Sequence, residues 1–404
     1  MKEIRKQKTI AIVMENISYG GATTHLINLI NSEKFHNFKF LIITNKNNNA
    51  KNQILKLSNK KLINLLTYTP FNIISTNNYI LKSFFLILRP LFFFFSVFQM
   101  LILIKSNKFD ILIGNCGGYG NFRTEMAAII AGRILKKKLF LLIHHNYTKP
   151  LIWVNLINLI NIFLGKFLHG IIFVSHATKL SIKKNTNLLK YFKRKSIVIH
   201  NGVELKKIKK ENINYFKSNK KIIKIGMLSR IERYKGQKDL IKAFNIMPEN
   251  LKSRFKIFFI GTGKKEYISQ INNEIEKLKI KKYFKFLNYL DIDSLSIIKN
   301  FDLIISLTRD FEAFGYSIAE SLYAGVPVIS TKVGGVGEYL NNNNSILIKP
   351  GDINALKKEL IKFSYSKNNN LRNKRIKNGK ALITKRFNSE IMAKKYLKYF
   401  LHIH

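Results

Sequence analysis

Arg309-Asp310-Phe311-Glu312-Ala313-Phe314-Gly315, followed by a second acid at Glu320, is the stretch on which the reading of this chain turns. Ahead of it, Asp302 to Ser306 concentrates apolar side chains as a short buried strand does. Behind it, Gly315 to Ala324 carries an apolar helical face with Glu320 among the polar positions. The strand-to-helix turn therefore falls at Thr308 to Phe314. Amides at a helix start have no partners inside the helix and sit at the positive end of its dipole, so those of Phe314 and Gly315 suit a diphosphate. Glu312 and Glu320 can accept hydrogen bonds from hydroxyl groups, because a carboxylate is acceptor-only with two oxygens. Taken alone, two glutamates at this spacing are more often solvated charges.

A second pattern lies upstream. The strand Ile222 to Met227 runs into Leu228-Ser229-Arg230-Ile231-Glu232-Arg233-Tyr234-Lys235-Gly236, with a helix starting at Gln237. Arg230 offers a bidentate fork and Lys235 a mobile point charge, so both can meet one phosphate pair. In a chain with 70 basic residues, their place between strand and helix carries the argument. Gly261-Thr262-Gly263 follows the strand Lys256 to Ile260 and permits another close backbone approach.

The first half alternates in the same way. The strand Thr9 to Met14 leads to Gly20-Gly21 and a helix from about Ala22 to Ile30, again a glycine turn before unpaired amides. Further strands are expected at Phe38 to Thr44, Asp110 to Gly114, Leu139 to Ile143, Ile171 to Val174 and Ser196 to Ile199. Gly117-Gly118-Tyr119-Gly120 is a ligand loop or a plain connection. The strand Leu139 to Ile143 delivers His144-His145-Asn146-Tyr147 to the carboxyl edge, where open α/β sheets bind ligands. A histidine there is as readily structural as ligand-touching. A Lys-rich stretch, Lys206 to Lys221, reads as a linker, and a last helix is expected at Ser389 to Leu401.

Composition sets the bounds. A chain of 404 residues, 46% hydrophobic, is long enough for two or three domains with substantial cores, and the alternation of strands and helices favours parallel α/β sheets. A single cysteine, Cys116, excludes an internal disulfide and any multi-cysteine metal site, which fits a reducing cytoplasm. The formal charge of +47 admits nucleic acid, an anionic membrane surface, or a genome that favours Lys, Asn and Ile codons. The basic residues are spread over loops and helix faces rather than gathered as a nucleic-acid footprint, which points to the codon explanation for most of the charge. No secretory signal is expected, since the apolar run after the charged start ends by Met14. Tyr79 to Ile104 is nearly apolar enough to span a bilayer, but Lys82, Arg89 and Pro90 interrupt it. It reads as a kinked helix pair, either pressed into a membrane interface or buried as an ordinary core helix.

The run Glu312-Ala313-Phe314-Gly315 to Glu320, then Ala324-Gly325-Val326-Pro327-Val328-Ile329 and Gly334-Gly335 with Glu338, resembles the signature of the retaining glycosyltransferases of group 1 (family 4). Arg230 and Lys235-Gly236 are similar to that family's Arg-x4-Lys-Gly, and His200-Asn201-Gly202-Val203 to its Asn-Gly-Val element. The resemblance implies a GT-B fold: two Rossmann-like domains with parallel sheets facing an interdomain cleft. Its expected bounds are an acceptor domain over 1–204, a linker over 205–220, a nucleotide-sugar domain over 221–388, and a helix over 389–404 returning to the first domain. It also implies sites: Arg230, Lys235, Glu312 and His145 at the reacting centre, and Gly20, Gly21, Asn201, Gly261, Gly263, Phe314, Gly315 and Glu320 at the donor. Of the paired histidines, His145-Asn146 is the better match and His144 the runner-up. Ser175-His176 is similar to the family's Val-Ser step.

The implied reaction moves a sugar with retention from a UDP- or GDP-linked donor to a saccharide or lipid-linked saccharide. Polysaccharide or lipopolysaccharide biosynthesis, at the inner face of the cytoplasmic membrane or in the cytoplasm, is the expected setting. Neither cofactor nor metal is expected. Asp291-Ile292-Asp293 imitates a metal-binding Asp-x-Asp, yet Asp293-Ser294 reads better as the cap of a helix over Leu295 to Lys299. Gly261-Thr262-Gly263 lacks the third glycine of a dinucleotide loop, which argues against NAD. A GT-B epimerase, a phosphorylase and a basic nucleic-acid-binding protein remain the rival readings.

Overall fold

Short apolar runs rich in Ile, Leu, Val and Phe form the strands, and their burial on both faces is what a parallel sheet covered by helices requires. The computed structural model describes residues 8–15, 20–46, 51–57, 62–70, 79–194, 196–208, 216, 222–288, 292–365 and 370–402. The chain divides into two compact units, Met1–Glu204 with Ser389–His404, and Leu205–Asn388. Most of the expected 205–220 linker lies outside the described residues. Phe216 within it is buried, its ring 5.3 Å from Phe258 and 5.0 Å from Phe301 of the second unit.

In the first unit the elements run β1 (Lys8–Met14), α1 (Gly21–Ile30), β2 (Phe38–Asn45), α2 (Lys51–Leu57), β3 (Ile63–Tyr68), α3 (Tyr79–Ile87), α4 (Arg89–Lys105), β4 (Ile111–Cys116), α5 (Thr124–Ile134), β5 (Lys138–Ile143), α6 (Val154–Phe167), β6 (Gly170–Phe173), α7 (His176–Asn185), α8 (Leu188–Tyr191) and β7 (Ile197–Val198). Their strands form one parallel sheet of order β3-β2-β1-β4-β5-β6-β7. Strand periodicity divides β5 between two cores. Leu139, Leu141 and Ile143 join the cluster that contains Phe93 and Met100 of α4, Met126 of α5 and Ile157 of α6. Phe140 points the other way, with the Phe400 ring 4.8 Å from its own.

The second unit runs β8 (Ile223–Leu228), α9 (Gln237–Asn245), α10 (Glu249–Lys252), β9 (Phe255–Ile260), α11 (Lys265–Lys277), β10 (Phe284–Leu287), α12 (Ser294–Ile298), β11 (Leu303–Ser306), α13 (Tyr316–Ala324), β12 (Val328–Thr331), β13 (Ile346–Ile348), α14 (Ile353–Tyr365) and α15 (Asn370–Arg386). Its parallel sheet has the order β10-β9-β8-β11-β12-β13. The order turns back at β8 and β11, a topological switch point at whose carboxyl edge open sheets take ligands.

The last helix, α16 (Ser389–His402), belongs to the first unit. Glu390 accepts from Ser32 Oγ at 2.8 Å and from the Glu33 amide at 3.1 Å, and Tyr399 Oη accepts from the Ile171 amide at 3.1 Å. No single helix among the described residues is long and apolar enough to cross a membrane, and α3 and α4 are bent 61° from one another. Pro90 lies in the first turn of α4, where its missing N–H costs no internal bond, so the chain breaks just before it. Because the Phe400 ring fills the space over Phe140, Phe400→Ala should cost about 3 kcal/mol of stability. A melting temperature equal to that of the unaltered protein would count against α16 as part of this core.

Candidate active site

The site of the second unit is built where β8 and β11 end. After β8 the chain makes a short turn over Arg233–Lys235 that stops at Gly236, with φ of +83°. A Cβ there would stand 2.3 Å from the Leu307 carbonyl oxygen, so only glycine lets this turn lie against the end of β11. The contact carries Lys235 across to the other loop, where its Nζ donates to Glu312 Oε2 at 2.7 Å and both side chains are largely shielded from water. Thr308 Oγ1 adds a bond to the same oxygen at 3.3 Å. The Glu312 backbone is fixed as well, since the Gly335 amide donates to its carbonyl at 2.8 Å and a Cβ on Gly334 would meet that oxygen at 2.4 Å.

Arg230 joins this group through Glu232, 2.9 Å from its Nη1, and through Tyr234 Oη. The Lys235 ammonium lies 5.1 Å from the centre of the Tyr234 ring. Burial pushes the Tyr234 hydroxyl above its ordinary range, with Glu232 and Glu312 acting in the same sense and Arg230 against them. Two cations, each with its own carboxylate, Arg230 with Glu232 and Lys235 with Glu312, thus meet at Tyr234. Gly261 and Gly263 serve its frame: Cβ atoms there would lie 2.1 Å from the Ser229 oxygen and 2.3 Å from the Ile231 oxygen. The close approach they permit is to the loop that carries Arg230.

Helix α13 starts from Gly315 at φ of +77° with no side-chain cap, so its positive end is not closed by an acceptor of its own. Phe314 is buried among Tyr316, Tyr339 and Phe387, and its carbonyl accepts from Tyr339 Oη at 2.7 Å. Its side chain is core, leaving the backbone as the part that can meet a ligand. Glu320 differs from the polar position read in the sequence. It is buried, hydrogen-bonded to Ser294, with Asp293 and Lys206 near it. Desolvation raises its pKa to about 8, with Asp293 adding to the effect and the Ser294 bond and Lys206 opposing it. Asp293 caps α12, its Oδ2 accepting from the Ser296 amide at 3.1 Å, and pairs with Lys206 at 2.8 Å. Asp291 lies outside the described residues, and no group of three or more potential metal ligands occurs among those described.

In the first unit Gly20 is the extended residue ahead of α1, and a Cβ there would meet nothing within 4 Å. Asn201 is buried, its Oδ1 2.8 Å from His25 Nδ1, while Tyr396 Oη of α16 stands 3.1 Å from His25 Nε2. His144 is buried too, edge-on to His25 at 4.8 Å and 2.6 Å from Asn115 Oδ1. Burial lowers the pKa of both, that of His25 to about 4, so both rings are neutral near pH 7. His145 follows it at the carboxyl end of β5, half-buried. Ser175 caps α7 by accepting from the Thr178 amide at 3.2 Å. The loop at Gly117 to Gly120 is zipped onto its neighbour, the Thr148 amide donating to the Tyr119 carbonyl at 2.7 Å.

One cluster went unread in the sequence. Just past β1, Glu15 takes the Thr124 amide at 2.7 Å and donates its own amide to Glu125 Oε1 at 3.0 Å, and Glu125 is paired with Arg123 at 3.2 Å. Burial, then the Glu125 charge, raises the Glu15 pKa to about 7, against Arg123 and the Thr124 bond. Its place immediately after a strand, at the ligand-binding edge, was the available signal.

Residues 208–382 match the family described as glycosyl transferases group 1. An uncharacterized glycosyltransferase of Methanocaldococcus jannaschii is 24% identical over 325 residues, which is 77% of this chain and 80% of that protein. Among solved structures, HepE of Anabaena with UDP-glucose superposes with a TM-score of 0.73 at 19% identity, covering 97% of this chain and 99% of that one. A glycosyltransferase of Rickettsia africae gives a TM-score of 0.71 at 20% identity, covering 98% and 99%. Residues 208–382 thus carry the group 1 glycosyltransferase match, and the fold of the chain is that of the GT-B glycosyltransferases.

Glu320 supplies a pH test of this geometry. With a folded pKa of about 8 above its ordinary 4.5, its contribution to stability is complete below pH 4.5 and is lost as the pH rises through about 8. Within that window one such group changes the unfolding free energy by about 1.4 kcal/mol per pH unit. Glu320→Gln should therefore flatten the loss of urea stability between pH 4.5 and about 8, leaving the part due to Glu15. Parallel curves for the two proteins would mean that Glu320 is not buried as described.

Proposed function

We propose that this protein is a retaining, metal-independent hexosyltransferase. It moves a sugar from a UDP- or GDP-linked donor to a saccharide or lipid-linked saccharide acceptor in cell-surface glycan biosynthesis. The observation that carries the reading is the group of two cations beside Tyr234, Lys235 paired with Glu312 and Arg230 with Glu232, at the carboxyl edge of β8 and β11. Arg230 and Lys235 hold the diphosphate, with the Phe314-Gly315 backbone at the uncapped start of α13 as further donors. Glu312 orients the donor sugar, Glu320 binds the ribose, and Gly261 and Gly263 shape the nucleotide loop. From the first unit, Gly20 and Gly21 border the phosphates, Asn201 braces the same edge through His25, and His145 meets the sugar near its anomeric carbon. The solved complex of HepE with UDP-glucose favours a UDP-linked donor.

In the reaction the bond between the anomeric carbon and the phosphate oxygen breaks, and the acceptor hydroxyl oxygen bonds to the same face of that carbon. Its proton passes to the departing phosphate oxygen, so no separate general base is needed. The negative charge growing on the diphosphate is met by groups already in place, which is how Arg230 and Lys235 do the work given elsewhere to a divalent metal. Contact of the basic, Phe-rich first unit with an anionic membrane would bring the enzyme to a lipid-linked acceptor.

Arg230→Ala and Glu312→Ala should each lose transfer by roughly two orders of magnitude or more while melting as folded proteins. Near-normal transfer by either variant removes it from the reacting centre. In a thermal-shift series with UDP, GDP, ADP and CMP and no added metal, the matching diphosphate at ~100 times its Kd should add about 2.7 kcal/mol. Stabilisation that appears only with added Mg²⁺ overturns metal independence.

A further inference from the structure

On α4 the outward positions 91, 94, 95, 98 and 102 are Leu91, Phe94, Phe95, Phe98 and Ile102, between 49% and 68% exposed. The opposite positions, Phe93, Ser96, Met100 and Ile104, are buried in the core under the sheet. A helix at a water-facing surface places polar residues outward, so a helix apolar on both sides has an apolar medium or partner on its outer side. The apolar surface continues beyond α4. Trp153 Nε1 donates to the Leu86 carbonyl at 3.2 Å, which ties α3, with exposed Phe84 and Ile87, to the start of α6, with exposed Leu151 and Ile152.

We propose that the outer face of α3, α4 and α6 docks on an anionic lipid bilayer, with α4 lying in the plane of the interface. Charge decides the occupant. From Lys34 to Val203 the sequence holds 25 Lys and Arg and only two acids, Asp110 and Glu125. Both acids are engaged inside the unit, Asp110 by the Thr9 amide at 2.7 Å and Glu125 by Arg123. A second copy of so basic a face would be repelled, whereas an anionic leaflet is attracted. Exposed cations border the apolar surface: Lys105 ends α4, Lys149 precedes Leu151, and Lys166 follows Phe163. Long basic side chains at such borders reach headgroups while their stems stay with the apolar part. Since α4 commits one side to the core and α3 leaves it at 61°, the pair lies along the surface instead of crossing it.

Trp153 is the sole tryptophan, 39% exposed at the junction of α3 and α6, and reports the event without a label. The full chain is mixed with vesicles of phosphatidylcholine, or of phosphatidylcholine with ~30% phosphatidylglycerol. Sedimentation with the anionic vesicles and a blue shift of the Trp153 emission are expected, and both should weaken in ~1 M salt, where the screening length is about 3 Å. The double variant F94S/F98S should lower the vesicle partition coefficient about tenfold or more while keeping the circular dichroism of the unaltered protein. Three results overturn the proposal: no anionic-vesicle binding, binding unchanged in F94S/F98S, or a dimer in light scattering that this variant dissolves with no vesicle binding. Sugar transfer is not read, so the outcome stands apart from that of the proposed reaction.

Discussion

The bond from Lys235 to Glu312 joins two loops 77 residues apart, and the geometry of the second unit is arranged to make it. Gly236 removes the side chain that would hold the first loop away from β11, and Gly334 removes the one that would displace the Glu312 backbone. The pair is mostly shielded, so deleting one partner leaves a poorly solvated charge on the other. In the proposed reaction this matters for rate as well as folding. An ammonium already held in place by Glu312 stabilises a departing diphosphate without first giving up a disordered shell of water.

The large positive charge is a property of the surface. Inside, the ionisable groups are neutral or paired: His25 and His144 are held uncharged by burial, Glu15 and Glu320 are pushed toward protonation, and Glu125 is matched by Arg123. That division follows from desolvation, which penalises an unpaired charge far more inside than outside. The buried network His25–Asn201–Tyr396 has a further consequence. It fastens α16 to α1 and to the Asn-Gly-Val element, so the end of the chain helps to fix the carboxyl edge of the first sheet.

The two units differ in how they meet their surroundings. In the second, few aromatic residues are exposed among those described, and Arg230 and Lys235 are held by Glu232 and Glu312 at the candidate site. In the first, apolar rings on α4 stand outward within a basic setting. A donor that is a small soluble anion and an acceptor carried on a lipid would ask for just this division of surfaces.

Much of the fold was legible because parallel strands buried on both faces leave runs such as Leu139 to Ile143, and because glycines and helix starts punctuate them. The ordered spacing of Arg230, Lys235, Glu312 and Gly315 was likewise readable, since short loops between strand and helix keep such residues near one sheet edge whatever the details. What remained hidden were side-chain environments. Glu320 reads as a polar helix position and is buried against Ser294; Asn201 reads as a ligand and is occupied by His25; Glu15 and Glu125 are 110 residues apart and carry no shared motif. The sequence by itself determined the parallel α/β elements, the glycine turns and the family signature, because those depend on local periodicity and backbone sterics. Only the tertiary structure decided which charges are neutralised, which acids meet, and which face of α4 stays bare, because desolvation and long-range pairing exist only once distant segments are packed together.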